Sequence, residues 1–166
     1  MTDTAAVFSE IVNQRRSVRS FLATPVERAI LEAVFTTAQR APSNCNTQPW
    51  QAAVVSGERI EKLRGKIPEA FNSGQWTMDF PYDGKYHGVY KDRQYAAAAA
   101  LYGAMGISRD DKTARSEQFS TNFTFFGAPH VAFLFLPEGF GLREAADLGM
   151  YAQTFMLSLT AHGLAS

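Results

Sequence analysis

Several kinds of residue are scarce in this sequence, and each scarcity excludes a class of protein. The 166 residues include one cysteine, Cys45, so an intrachain disulfide and a zinc site with two cysteine ligands are excluded. The three histidines, His87, His130 and His162, lack ligand spacing, and we therefore expect no metal. Sixteen basic residues balance sixteen acidic ones, so no net charge attracts the protein to nucleic acid or to an anionic membrane.

Long hydrophobic runs are also absent from the sequence. No apolar run approaches the roughly 18 residues of a membrane-spanning helix. The N-terminus has no basic segment of the kind that begins a signal peptide. We therefore expect a cytoplasmic protein without a membrane partner. The hydrophobic content of 46% and the length predict a single domain, 1–166, with a substantial core.

Hydrophobic periodicity predicts a series of helices and two strands. The first strand is predicted at 50–56, and the continuous apolar run 130–136 predicts a second strand that is buried on both faces. A third strand is expected to begin at Leu164, with no continuation. One expected helix starts at Thr24-Pro25-Val26-Glu27 and ends at Ala41. The other expected helices cover 4–15, 60–67, 90–105, 108–126 and 142–162.

The segment from Ala41 to Trp50, A-P-S-N-C-N-T-Q-P-W, contains the strongest ligand signal. Its prolines prevent helix and favour extended backbone before them, which predicts a fixed loop. Ser43, Asn44 and Asn46 supply neutral hydrogen-bond donors and acceptors of the kind that suit the edge of a planar heterocycle. Taken alone, the loop is better explained as a structure that is stabilised by its own Asx-type turns.

A second polar segment lies upstream, at the end of the first predicted helix. Arg15, Arg16, Ser17 and Arg19 place three guanidinium groups and a hydroxyl within five residues. Guanidinium groups present forked donors that match phosphate, so the cluster predicts an anion site. Without other support it is also typical of a solvated surface.

Together the two segments resemble the nitroreductase family of FMN-dependent oxidoreductases. The family pattern is R-[RH]-S-x-[RK]-x-F, then a helix, then P-S-x-x-N-x-Q-P-W, and both parts occur here in order. Later stretches at 101–107, 125–129, 147–150 and 163–164 agree. The resemblance implies an α+β fold, with a mixed, mainly antiparallel sheet flanked by helices in three layers. It also implies that this chain lacks the C-terminal strand and arm of that fold.

The resemblance assigns a role to each segment. Arg15, Ser17 and Arg19 match positions that hold the phosphate and ribityl chain of FMN, and Arg16 fills the adjacent position through its backbone or its side chain. Ser43, Asn44 and Asn46 match a loop that meets the isoalloxazine ring, and in the family this loop comes from the partner subunit. Cys45 is expected to line the substrate pocket, although a nucleophilic role is also open. No side chain is expected to be catalytic, since the flavin carries the chemistry.

The family reaction is ping-pong. NAD(P)H reduces FMN and leaves, and a nitroaromatic or quinone-like acceptor then occupies the same pocket. The resemblance further implies a homodimer with flavin at its interface. Two alternatives remain open: another flavin reaction on the same fold, such as reductive dehalogenation or flavin breakdown, and a flavin-binding protein without turnover.

An aromatic stretch without any regular period follows at 68–90. Long irregular segments of this kind are more often functional than idle. We expect 68–110 to form a substrate lid in which Trp76 and Tyr82 contact the oxidant. An aromatic-anchored loop that packs on its own domain is an equal alternative.

Overall fold

A computed structural model of the chain describes residues 3–166, and these form six α-helices and two β-strands. They fall into two compact units, one of the residues up to Glu61 together with Gly127–Ser166, the other Lys62–Phe126. The elements are α1 (Thr4–Gln14), α2 (Arg28–Ala38), β1 (Gln51–Ser56), α3 (Glu58–Asn72), α4 (Gly88–Ala104), α5 (Lys112–Ser120), β2 (His130–Phe135) and α6 (Leu142–Ala161). Short 3-10 segments cover Asn44–Asn46 and Thr121–Gly127.

The two strands pair in an antiparallel sheet. Gln51 lies opposite Phe135, and Ser56 lies opposite His130. The prediction that the second strand is buried on both faces is wrong, because β2 is only half-buried and Phe135 is 49% exposed. Among residues 3–166 the sheet has two strands, and most of β1 is exposed.

Helix α6 lies in the core of the first unit, where it contacts α1, α2, β2 and the Asn44–Asn46 turn. Tyr151 of α6 is fully buried and stacks on Trp50, with ring centroids 4.9 Å apart. Ala38 and Ala41 complete this cluster. These contacts bury one side of α6 inside the unit.

Helix α2 begins at Arg28, so the predicted start at Thr24 is wrong. The backbone N–H of Val26 donates to Nε2 of His130 at 2.8 Å. This bond holds the residues before α2 against the start of β2. Val26, which the local sequence assigns to the first turn of the helix, thus lies outside α2 in contact with a distant side chain.

Two other helix boundaries differ from the predicted ones. Helix α3 continues through Pro68 to Asn72, and Phe71 in its last turn packs on Phe123 with ring centroids 4.2 Å apart. Tertiary packing of this kind offsets the hydrogen bond that proline cannot make. Helix α5 is capped by Asp111, which accepts from the N–H of Ala114, and not by Ser108.

The segment at 164–166 does not form the predicted strand. Instead, the carbonyl of Ser166 accepts a hydrogen bond from the N–H of Val18 at 2.9 Å. The segment therefore lies beside the arginine-rich stretch that follows α1.

The first turn of α6 yields a prediction on acid stability. Glu144 accepts from the N–H of Gly141 at 3.1 Å, and this backbone hydrogen bond lowers the pKa of Glu144 from its ordinary 4.5. A depressed pKa contributes stability above pH 4.5, and the contribution is lost as pH falls through the folded-state pKa. We expect Glu144→Ala to lower the urea midpoint at pH 7 and to differ less from the wild type at low pH. Glu138→Ala, at an exposed turn, is the control, and an equal loss at both pH values would contradict the prediction.

Candidate functional site

The loop between α2 and β1 is organised around Ser43. Its carbonyl accepts from the N–H of Asn46 at 3.1 Å, and its Oγ accepts from the N–H of Gln48 at 2.9 Å. Cys45, Asn46 and Gln48 have φ angles of 49°, 55° and 46°. Left-handed backbone is uncommon for residues other than glycine, least so for asparagine. The loop is therefore held in a conformation that costs free energy and needs support from its surroundings.

The loop presents polar side chains to the surface. Asn44, Cys45 and Asn46 are exposed, whereas Ser43 is half-buried and its oxygen is engaged within the loop. Two carboxamides, each with donors and an acceptor, can form hydrogen bonds to the edge of a planar ligand. Ser43 thus braces the loop, and its hydroxyl hydrogen is still available to donate.

A side chain of helix α6 forms a hydrogen bond with this loop. Oδ2 of Asp147 accepts from the N–H of Asn44 at 3.1 Å, and the Asp147 residue is 3% exposed. At the far end of the loop, Nε1 of Trp50 donates to Oε1 of Gln39 at 2.9 Å. Sequence reasoning did not select Asp147 as a site residue. The available signal was an acidic side chain within the apolar stripe of the last helix.

The arginine-rich segment follows the end of α1. The guanidinium of Arg16 donates to the carbonyls of Asn13 and Arg15, so it closes the helix end rather than pointing outward. Arg19 donates to the carbonyl of Val18 at 3.1 Å. Within residues 3–166, no hydrogen bond or ion pair engages the half-buried Arg15 guanidinium. Arg15 is therefore the member of the cluster best placed to receive an anion.

The two predicted cofactor segments belong to the same compact unit. Helix α1, which ends just before Arg15, contacts α6, and so does the Asn44–Asn46 turn. Helix α6 therefore contacts both the polar loop and the helix that precedes the cationic segment.

The predicted substrate residues Trp76 and Tyr82 lie in the other unit, between α3 and α4. They are 55% and 54% exposed. Trp76 stacks on Phe71 with ring centroids 6.0 Å apart. A hydrogen bond to Tyr86 raises the pKa of the Tyr82 phenol. The role of this segment, as a substrate lid or as a loop packed on its own unit, stays a prediction.

A cavity of about 600 Å³ lies elsewhere in the first unit. Its wall is mainly apolar, includes Phe35, Val54 and Phe155, and contains none of the predicted cofactor residues. Size alone would select this cavity as a binding site, but the charged and amide groups that suit a phosphorylated heterocycle lie outside it. We therefore assign the candidate site to the arginine segment and the polar loop.

Between residues 3 and 166 there is no group of three or more histidine, cysteine, aspartate or glutamate residues that could hold a metal ion. In the same range, no helix has the length and apolar character required to span a bilayer.

Comparison with known families places this site in context. The Nitroreductase family profile matches residues 12–166. Nitroreductase NfnB of Mycolicibacterium smegmatis is 42% identical over 165 residues, which are 99% of this chain and 70% of that protein. A 4-nitrobenzoate reductase of Pseudomonas putida is 33% identical, over 96% of this chain and 70% of its own.

The fold is also that of a solved relative. A crystal structure of the FMN-dependent nitroreductase NfnB from Mycobacterium smegmatis in complex with NADPH superimposes with a TM-score of 0.92. The sequences are 41% identical, and the match covers 98% of this chain and 74% of that one. The chain belongs to the nitroreductase family. The predicted family and the predicted α+β fold are thereby confirmed.

Proposed function

We propose that this chain is an FMN-dependent oxidoreductase that passes reducing equivalents from NAD(P)H to nitroaromatic compounds. The observation that carries the proposal is the superposition, with a TM-score of 0.92, on an FMN-dependent nitroreductase in complex with NADPH. The 4-nitrobenzoate reductase of Pseudomonas putida, 33% identical, supports a nitroaromatic acceptor.

The residues of the candidate site fit FMN. Arg15, whose guanidinium has no hydrogen-bond or ion-pair partner among the described residues, and Arg19 supply cationic donors for a phosphate, and the Ser17 hydroxyl lies between them in the sequence. Asn44 and Asn46 present neutral donors and acceptors that suit the edge of the isoalloxazine ring. When bound, FMN supplies the hydride chemistry. The work of the protein is to hold the phosphate, fix the ring and shape the space beside it for NAD(P)H and the acceptor.

The proposed reaction order is ping-pong. NAD(P)H and a small aromatic oxidant, nitroaromatic or quinone-like, would use one pocket in turn, with Cys45 in its wall. Exposure of the Cys45 side chain next to the two loop asparagines is compatible with that role. The substrate role of Trp76 and Tyr82 stays a separate prediction.

We also propose a cytoplasmic homodimer with the flavin at its interface. Helix α1 supports an interface because Phe8 and Val12, one turn apart, are 60% and 41% exposed. Exposed apolar side chains that neighbour one another in this way are typical of protein interaction sites.

The visible absorption spectrum of the purified protein, followed by anaerobic titration with NADPH, tests the proposal. We expect a flavin spectrum that bleaches on addition of NADPH and recovers on addition of 4-nitrobenzoate. Recovery with an iodinated phenol but not with the nitro compound would favour reductive dehalogenation. A flavin spectrum that NADPH does not bleach would favour binding without turnover, and a colourless protein that takes up no added FMN would refute the proposal.

The same assay tests metal independence. The single cysteine and three scattered histidines predict that no metal takes part in the reaction. NADPH oxidation should therefore be unchanged after incubation with EDTA and gel filtration. Stoichiometric zinc or iron in the washed protein, with activity lost on chelation, would contradict this expectation.

A further inference from the structure

Helix α6 reaches both ends of the polar loop through side chains one turn apart. Asp147 accepts from the N–H of Asn44, and Tyr151 stacks on Trp50 while its hydroxyl accepts from Gln39 at 3.5 Å. We infer that Asp147 is a positioning residue, whose buried carboxylate fixes the loop conformation that presents Asn44 and Asn46 to the flavin. The inference rests on the proposed function and adds a residue to it.

The burial of Asp147 supports a specific task for its charge. The residue is 3% exposed, and its Oδ2 lies 3.1 Å from the Asn44 nitrogen. A buried carboxylate is costly unless hydrogen bonds compensate for lost water, and an apolar side chain in a helix core is often at least as stabilising. Packing of α6 therefore does not require an aspartate here. The carboxylate is explained by the hydrogen bond that it accepts from the N–H of Asn44, since charged acceptors make stronger hydrogen bonds than neutral ones.

The backbone of the loop shows why an anchor is needed. Cys45 and Gln48 adopt left-handed backbone without being glycine or asparagine. Such conformations persist only when the surrounding contacts over-determine them. Asp147 restrains the loop just before Cys45, and the hydroxyl of Ser43 restrains Gln48. Without the first restraint, the turn at Asn44–Asn46 can relax, and its carboxamides lose their fixed orientation.

Loss of that orientation should appear in flavin affinity, because a preorganised loop does not have to become ordered on binding. We expect Asp147→Ala to raise the FMN dissociation constant by about 10- to 100-fold, the range for a lost hydrogen bond to a charged group. The hydrogen exchange of the Asn44 amide in the flavin-free protein, followed by NMR, should accelerate in parallel. Asp147→Asn keeps an oxygen that can accept from the same N–H, but as a weaker, neutral acceptor, and should therefore show an intermediate loss of affinity, about 3- to 10-fold.

Ser158→Ala is the matched control. Ser158 is also a buried polar residue of α6, 6% exposed, and it lies about three helical turns beyond Asp147. We expect this variant to change neither the Asn44 exchange rate nor the FMN dissociation constant. An equal loss of affinity in both alanine variants would assign Asp147 a general stabilising role and overturn the inference.

The outcomes separate the inference from the proposed function. Wild-type protein that binds no FMN would refute the function, whatever the exchange rates show. Wild-type protein that binds FMN, together with unchanged affinity and exchange in Asp147→Ala, would overturn only the role of Asp147. If Asp147→Ala does not fold, Asp147→Ser replaces it in the same comparison. Failure of both to fold, while Asp147→Asn folds, would make Asp147 a folding determinant and would also overturn the inference.

Discussion

Replacement of Arg15 or Arg19 by alanine is expected to weaken FMN binding by about 10- to 150-fold. The range corresponds to the roughly 1.5–3 kcal/mol that a hydrogen bond to a charged group contributes. Arg15 should show the larger loss, because no described group of the protein hydrogen bonds to its guanidinium, whereas Arg19 also contacts the carbonyl of Val18. Fluorescence titration of FMN into flavin-free protein measures the effect.

Riboflavin provides the matched ligand control for this prediction, since it has the same ring and ribityl chain without the phosphate. The wild type should prefer FMN strongly, and Arg15→Ala should lose most of that preference while its riboflavin affinity changes little. Arg59→Ala, on the exposed side of α3, should retain the preference. An unchanged ratio of FMN to riboflavin affinity in both site variants would place the phosphate elsewhere.

Replacement of the two tryptophans is expected to change the free energy of unfolding by very different amounts. Trp50 is 7% exposed, stacks on Tyr151 and donates to Gln39, so Trp50→Ala should lower the free energy of unfolding by about 3–5 kcal/mol. Trp76 is 55% exposed, and Trp76→Ala should change the free energy of unfolding by only about 0.5 kcal/mol. Urea denaturation of the flavin-free proteins gives both values.

Kinetics then tests the proposed role of Trp76. If 68–110 acts as a substrate lid, Trp76→Ala and Tyr82→Ala should raise KM for the nitroaromatic acceptor and leave FMN occupancy unchanged. Loss of bound flavin, or a stability loss in Trp76→Ala as large as that in Trp50→Ala, would show that the segment is structural. Unchanged kinetic constants for several acceptors would remove both residues from the substrate site.

Local sequence predicts the elements whose own periodicity and end signals agree. Helices α1, α4 and α6 and both strands lie within two residues of their predicted bounds. Gly163 ends α6 with a φ of 72°, as expected for a glycine after a helix. The errors lie where a distant residue intervenes. Val26 is held by His130, which is 104 residues away, and Phe71 packs on Phe123, so α2 starts late and α3 ends late.

The candidate site likewise has features that local sequence predicts and features that depend on tertiary contacts. The order and spacing of the arginine segment and the polar loop identify the family and the residues that carry donors for a flavin. Neither motif indicates that the Arg16 guanidinium turns back to the end of α1, because that contact depends on how the backbone leaves the helix. Nor does either motif contain Asp147, which is 103 residues from Asn44 along the chain.

By itself, the sequence determined which kinds of residue form the polar loop and that prolines flank it. It also determined that the protein belongs to a family of flavin enzymes. Only the tertiary structure decided which groups support the loop and which are presented outward. The physical reason is that the chemistry of a side chain is set by its own residue type, whereas a strained backbone is stabilised by contacts with residues that are distant in the sequence. Here that support is one face of α6, where Asp147 and Tyr151 meet the two ends of the loop.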